Sequence, residues 1–212
     1  MTKPKIKILQ YMHGAHEYFS WSDRINRHYC ERHGYDYVVR SDEPRSDRHV
    51  CWHKIPVMLD ELRDCDYLLF VDADAVFYSH ELTVENVLIP ELRGKPILMA
   101  SDCGSEALRW NPRLPNSGVI LMENKKLVRT FLTEWNKVTE ANEEVRWQWP
   151  PTQLALWKYV LPKFKEELSV VNDYYLVQGR FGQYIRHYCR CSETERVKAM
   201  KKIYERLQRV TI

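Results

Sequence analysis

The sequence predicts an α/β protein: a mostly parallel central sheet flanked by helices, in a single domain spanning residues 1–212. Three observations lead there. Strand-like and helix-like segments alternate from the first residues onward. The continuous apolar run Tyr67–Val71 reads as a strand buried on both faces. That run then stops at two carboxylates one residue apart, Asp72 and Asp74. Ligands of open α/β sheets bind beyond the carboxyl ends of the strands, where two acids can hold Mg²⁺ or Mn²⁺ against a diphosphate. The same acids could equally cap the next turn, since D-x-D alone recurs by chance.

In chain order, Lys5–Tyr11 (KIKILQY) is the first strand, followed by a polar turn. Ser20 or Ser22 can cap a helix with Trp21, Ile25 and Tyr29 on one face, ending at Gly34. Tyr35–Val39 is the second strand, and strand, helix and strand at this spacing make a right-handed parallel βαβ unit. The charged stretch Arg40–Val50 has no apolar face and reads as a mobile flap. A helix over Trp52–Leu62 tolerates Pro56 in its first turn and leads to the strand that ends at the acids. Leu82–Ile89 reads as helix, Ile97–Ala100 as strand, Ser101–Pro115 as loop and Val119–Met122 as a further strand. Asn124 can cap a helix that turns Leu127, Val128, Phe131, Leu132, Trp135 and Val138 inward. Trp147–Pro151 is an irregular joint before a helix over Thr152–Leu161, and short strands follow at Leu168–Val171 and Tyr184–His187. The segment Glu193–Val210 is a basic amphipathic helix. It could lie on a membrane or meet a partner, but docking on the core with one solvated face is the reading preferred, because Glu193, Glu195 and Glu205 dilute its charge.

A net charge of +3 implies no general affinity for nucleic acid. No apolar run is long enough to span a bilayer, and the N-terminus carries no secretion signal. The six cysteines are scattered in a domain too large to need staples. These points lead to the expectation of a reduced, cytoplasmic protein. Only Cys189 and Cys191 lie close together, too few for a zinc site. The chain is expected to be one domain of a longer polypeptide that carries further enzymatic domains.

An ordered set of motifs carries a family resemblance: Asn26-x-x-Tyr29, HGYDY at 33–37, Trp52-x-Lys54-Ile55, LLFVDADAVF, Asn116-Ser117-Gly118, Gln153 opening a helix, and YIRHY around His187. The set resembles the metal-dependent glycosyltransferases of the GT-A fold, a Rossmann-like architecture. Within them it is similar to the group of yeast Golgi galactosyl- and mannosyltransferases and plant xyloglucan xylosyltransferases, and in its compactness to the N-terminal glycosyltransferase domain of a large algal-virus protein. The resemblance covers roughly residues 5–190. It implies a nucleotide-binding half over about 1–100 and a sugar and acceptor half over about 101–190, ahead of the helix at 193–210.

The resemblance further implies a UDP-sugar donor, a glycan or glycoprotein acceptor, and Mn²⁺ or Mg²⁺ held by Asp72, Asp74 and His187. Mn²⁺ accepts imidazole beside carboxylate. Donor-binding residues would be Tyr11, Met12, His13 and Gly14 at the first strand end, Arg48 in the flap, Lys54, Asp72 with Ala73, Asp102, Asn116 and Gly118. Tyr11 could stack on the base or belong to the core, and Lys54 could be a helix-surface lysine. Asp102 and Asn116 would read sugar hydroxyls or merely form turns. In the retaining enzymes of this group a glutamine lies near the anomeric carbon, commonly after acidic residues. Here Pro151 and Thr152 precede Gln153, and an amide is a poor nucleophile, which leaves front-face transfer open. Asp102, Asn116 and Gln153 are the catalytic candidates. Two rivals remain. One is a haloacid-dehalogenase-like phosphatase with Asp72 as nucleophile and Asp74 as acid/base, opposed by the missing later acidic pair. The other is a sugar-nucleotide-binding module without turnover.

Overall fold

A computed structural model describes residues 3–102, 114–171 and 174–210. The first half follows the predicted rhythm. Strand β1 (Ile6–Tyr11) is buried throughout, and β2 (Asp36–Arg40) and β3 (Tyr67–Val71) pair with it in parallel on either side. Between β1 and β2 runs helix α1 (Glu17–His33), closed by Gly34 in the left-handed region at φ 69°, a conformation glycine adopts without the Cβ penalty. Neither Ser20 nor Ser22 caps it. The helix starts earlier, after His16, and Ser22 sits inside it, buried, accepting from Gln10 Nε2 at 3.1 Å. A 3-10 turn at Val50–His53 leads into α2 (Lys54–Glu61), whose first turn accommodates Pro56.

Beyond the acids come β4 (Ala75–Phe77), α3 (Val84–Glu91), with Thr83 capping through Asn86 N–H at 3.1 Å, and β5 (Ile97–Ser101). Strand β6 (Pro115–Glu123) is longer than expected and antiparallel to both neighbours. The six-stranded order is β2-β1-β3-β6-β5-β7, where β7 (Leu168–Val171) runs parallel to β5, so β6 alone is reversed. Asn116, Ser117 and Gly118, expected just ahead of the strand, lie within it. The reversed strand runs antiparallel beside the end of β3, and Asp72 N–H donates to Gly118 O at 2.7 Å. Most of the predicted loop Ser101–Pro115 falls outside the described residues.

Helix α4 (Lys126–Ala141) begins after Lys125 rather than Asn124. Asn124 instead donates from Nδ2 to the carbonyls of Arg63 and Cys65, pinning the turn before β3. Leu127, predicted on the inward face, is 38% exposed, while the other five residues of that face are buried. The next helix is continuous but not uniform: α5 (Pro151–Ala155), a π-helical turn at Leu156–Val160 and α6 (Leu161–Phe164). After β7, α7 (Tyr174–Val177) precedes β8 (Ile185–His187), which pairs antiparallel with β4 in a separate two-stranded sheet. The last helix, α8 (Glu193–Val210), packs Met200, Ile203 and Leu207 against Tyr18 and Ile25 of α1 and against Val76 and Tyr188. Its apolar stripe is therefore internal, as the preferred reading expected.

The period-2 alternation of strands divides the core. Leu9, Phe70, Met99 and Ile120 face Met58, Phe131 and Trp135 of α2 and α4. Ile8, Leu69, Leu98 and Leu121 face the other way, with Tyr29 of α1, Phe77 and Tyr184. The Tyr29 and Phe77 rings stack at 3.6 Å, fixing α1 over β4.

Beside that stack His80 is 5% exposed, with Nε2 on Phe77 O at 3.2 Å and Nδ1 on His28 Nδ1 at 3.0 Å. Burial and the neighbouring His28 push its imidazole down to about 4. Folded chains therefore leave His80 neutral where unfolded chains protonate it, and the stability present at neutral pH is lost as pH falls from the free histidine value toward 4. His80 should lower unfolding free energy by about 2 kcal/mol between pH 7 and pH 5. In urea titrations at the two pH values, His80→Gln should flatten that slope. An unchanged slope would remove His80 as its source.

Candidate active site

The site is assembled where β3 ends and β6 and β8 pass beside it. Val71 pairs with Val119, which places Gly118 against Asp72, and β8 sets His187 opposite Ala75. The turn that bears the acids is held from below by buried amides. Gln10 Nε2 donates to the carbonyls of Asp72 and Ala75 at 3.0 and 3.3 Å, and Asn26 bridges Ala75 O and Phe77 N–H, each at 3.0 Å. Both amides are 0% exposed; buried polar groups so satisfied fix one geometry.

The three predicted ligands converge. One ligand atom each from Asp72, Asp74 and His187 lies within 4.8 Å of the others. His187 Nε2 is 3.2 Å from Asp74 Oδ1 and 3.8 Å from Asp72 Oδ2. Its other nitrogen, Nδ1, lies 2.8 Å from Gln178 Oε1. An amide oxygen can only accept, so it holds the proton on Nδ1 and turns the Nε2 lone pair toward the acids, the tautomer a metal needs. Burial resists charge on Asp74, but His187 and then Arg196 overcome it and hold the carboxyl below its usual range. Burial likewise disfavours the His187 cation, and Asp74 and Asp72 override that and raise its affinity for a proton. Two carboxylates and an imidazole suit Mn²⁺ well and Mg²⁺ acceptably. Gly118 makes the room: a Cβ there would fall on the His187 ring carbon Cε1 and within 2.8 Å of both Asp72 Oδ2 and His187 Nε2.

Around this centre the predicted residues divide. Lys54 is not a surface lysine. It is 5% exposed and its ammonium donates to Ser117 O at 2.7 Å and Asp72 Oδ1 at 3.1 Å. Gln153, at the start of α5, accepts from Ser117 N–H at 3.2 Å. Asn116 joins Asp102 at 3.3 Å through Nδ2 and Gly118 N–H at 2.8 Å through Oδ1. Lys54 and Gln153 thus both hold on to Ser117, while Asp102 and Asn116 form a separate pair tied to Gly118, so the two groups grip successive residues of β6 beside Asp72. Met12 is buried and Gly14 has φ 98° in the turn after β1, with His13 half-exposed between them; Ala73 is half-exposed between the acids.

Of the two places left open for Tyr11, its ring takes the one in the core, 8% exposed, with its hydroxyl on Asp42 O at 2.9 Å and its ring 5.2 Å from that of His53. One expectation needs correction. Arg48 does not hang in a free flap. It is 6% exposed, bonded to Asp47 and to Thr139 of α4, because a guanidinium in that turn satisfies itself on the adjacent helix.

Three residues of the site received no role from the sequence: Ser117, present only as the middle of a motif, Gln178 and Arg196. Arg196, on α8, donates from Nη2 to Asp74 Oδ2 at 2.8 Å and from Nε to Tyr188 O at 3.2 Å. Nothing local marks it among the other basic residues of its helix.

Residues 6–103 match the family model described as the galactosyl transferase GMA12/MNN10 family. No curated protein sequence gives a significant match. Among solved structures, a glycosyltransferase involved in glycosylation of the major capsid of PBCV-1 superposes with a TM-score of 0.73 at 17% identity, over 94% of this chain and 100% of that one. The galactosyltransferase LgtC, in complex with donor and acceptor sugar analogs, gives 0.61 at 11%, over 94% and 95%. The glycosyltransferase GlyE of Streptococcus pneumoniae gives 0.54 at 15%, over 99% of this chain and 64% of GlyE. The α/β fold with its mostly parallel sheet is thus one shared with glycosyltransferases.

Proposed function

We propose that this chain is a glycosyltransferase that moves a hexose-type sugar from a UDP-sugar to a hydroxyl of a glycan or glycoprotein acceptor, with retention and in dependence on Mn²⁺ or Mg²⁺. The observation that carries this reading is the convergence of Asp72, Asp74 and His187 on a space kept open by Gly118, in a fold shared with glycosyltransferases. The family match over residues 6–103, which includes both acids, supports it.

Asp72, Asp74 and His187 would hold the metal, which supplies Lewis-acid neutralisation of the departing diphosphate. The rest falls to the chain itself. The Lys54 ammonium adds a fixed positive charge at the same end of the sheet, and such preorganised charge acts most strongly where negative charge develops. The Asp102–Asn116 pair offers a fixed acceptor and donor for sugar hydroxyls. Gln153, tethered through Ser117, is the group for the anomeric centre. As an amide it cannot serve as an effective nucleophile, so its oxygen dipole supports positive charge on the sugar during front-face transfer. The acceptor oxygen bonds to the anomeric carbon as the bond from that carbon to the β-phosphate oxygen breaks, and the acceptor proton passes to that phosphate oxygen, releasing UDP.

Calorimetry of UDP into the purified chain, with and without Mn²⁺ and with Asp74→Ala, tests the reading. Binding should require Mn²⁺ and should weaken by about a hundredfold or more in the variant, since loss of a ligand exceeds the effect of losing its outer support. Equal binding without metal, or full binding by Asp74→Ala, would overturn it.

A further inference from the structure

A cavity of about 990 Å³ opens between α8 and the segment 180–188. Arg180 and Arg186 line one wall. Lys198, Lys201, Lys202, Arg206 and Arg209 line the other, and Glu205 is the one carboxylate between them. Among the described residues none of these seven cations forms an ion pair, although pairs are common elsewhere on the chain. With a net charge of +3 for the whole chain, the rest of the molecule is net acidic, so the positive field is concentrated in this groove.

Two of the guanidiniums are fixed in place. Arg186 and Arg206 lie over the Tyr78 ring, 3.3 and 4.0 Å from its centroid. Arg186 Nε also donates to Gly182 O at 3.1 Å, and Arg206 Nη2 to Tyr78 O at 2.6 Å. Guanidiniums already ordered by stacking lose little freedom on meeting an oxyanion, and their planar edges suit carboxylate, sulfate or phosphate. Phe181, 61% exposed, stands at the same groove, a platform for the apolar face of a sugar ring.

We propose that this groove binds an acidic saccharide chain, the acceptor being a glycan that carries regularly spaced anionic groups. The apolar stripe of α8 is turned onto α1, so the helix cannot bury it in a bilayer as an interfacial helix must. Single-stranded nucleic acid requires successive stacking rings, and guanidiniums already cover Tyr78. The groove is built on the same elements as the acids: Tyr188, in its wall, donates its N–H to Asp74 O at 2.9 Å, and α8 sends Arg196 to Asp74. A chain lying there is held next to the proposed site. The acceptor role rests on the transferase reading; binding itself does not.

The test uses the whole chain without metal or nucleotide, titrated with oligogalacturonate and with a heparin-derived oligosaccharide. Neutral dextran, a duplex DNA of matched charge and phosphatidylserine vesicles are the comparisons. At least one acidic saccharide should bind more tightly than every comparison, in a salt-sensitive manner. The triple variant Lys198→Glu, Lys201→Glu, Lys202→Glu should weaken it by about tenfold or more, and the milder Lys201→Gln, Lys202→Gln by less, both with unchanged melting temperature and unchanged Mn²⁺-dependent UDP binding. The inference is overturned if neither acidic saccharide binds, if DNA or vesicles bind as well, or if both variants bind like the parent. Loss of UDP binding in the parent chain would count against the transferase reading alone.

Discussion

Gly118→Ala should lower metal affinity by on the order of a hundredfold, the upper end of what outer positions of a metal site cost, and abolish metal-dependent turnover. The added methyl has nowhere to go. It would sit on His187 Cε1, and 2.8 Å from Asp72 Oδ2, and neither neighbour can retreat, because Gln178 holds the imidazole and Lys54 holds the carboxylate. Titration with Mn²⁺ reads the effect directly. Melting temperatures separate the two clashes: Gly118→Ala should cost less stability in a His187→Ala background than in the parent, since the ring it would strike is gone and only the approach to Asp72 Oδ2 remains. Parent-like Mn²⁺ affinity in Gly118→Ala would mean that the ligands do not meet there.

Trp135→Ala should destabilise the chain by about 3–5 kcal/mol, the usual cost of truncating a buried aromatic. Trp135 is fully buried between the sheet and the α5 region, and its indole N–H donates to Thr152 O at 3.0 Å. That bond adjoins Gln153, so the substitution should also loosen the residue assigned to the anomeric centre. Urea unfolding measures the first effect, and turnover at saturating donor the second. Trp135→Phe keeps most of the apolar volume but loses the hydrogen bond, and should fall between parent and alanine. A change below about 1 kcal/mol for Trp135→Ala would show that the site collapses around the gap.

Much of this was legible because it was local. The apolar run into Asp72 and Asp74 marks the end of a buried strand whatever surrounds it, and Gly34 marks the end of α1. The reversal of β6 was not legible: a strand buried on both faces has the same apolar run in either direction, so Val119–Met122 gave no sign of its orientation. Asn116 and Gly118, read as lying just ahead of that strand, belong to it, because β6 begins at Pro115. Lys54 was assigned by resemblance alone, since a lysine in an amphipathic helix looks solvated until a carboxylate is brought to it. Gln178 and Arg196 had no local signal. Each gains its role from contacts that close only when β8 pairs with β4 and α8 docks on α1. Arg48 failed in the opposite sense: a charged, turn-rich stretch suggested mobility, whereas its guanidinium found Thr139.

The contact between Arg196 and Asp74 also bears on how the molecule comes into being. During synthesis Asp72 and Asp74 leave the ribosome first, on a strand that can pair at once with β1, while His187 and Arg196 follow only near the end. Until then the nascent chain carries two adjacent carboxylates without their imidazole or guanidinium partners, and contacts of such long sequence separation form late. The cluster of Asp72, Asp74 and His187 is therefore among the last parts of this protein to come together, and a ribosome-bound chain stalled before β8 would carry the two acids without the imidazole.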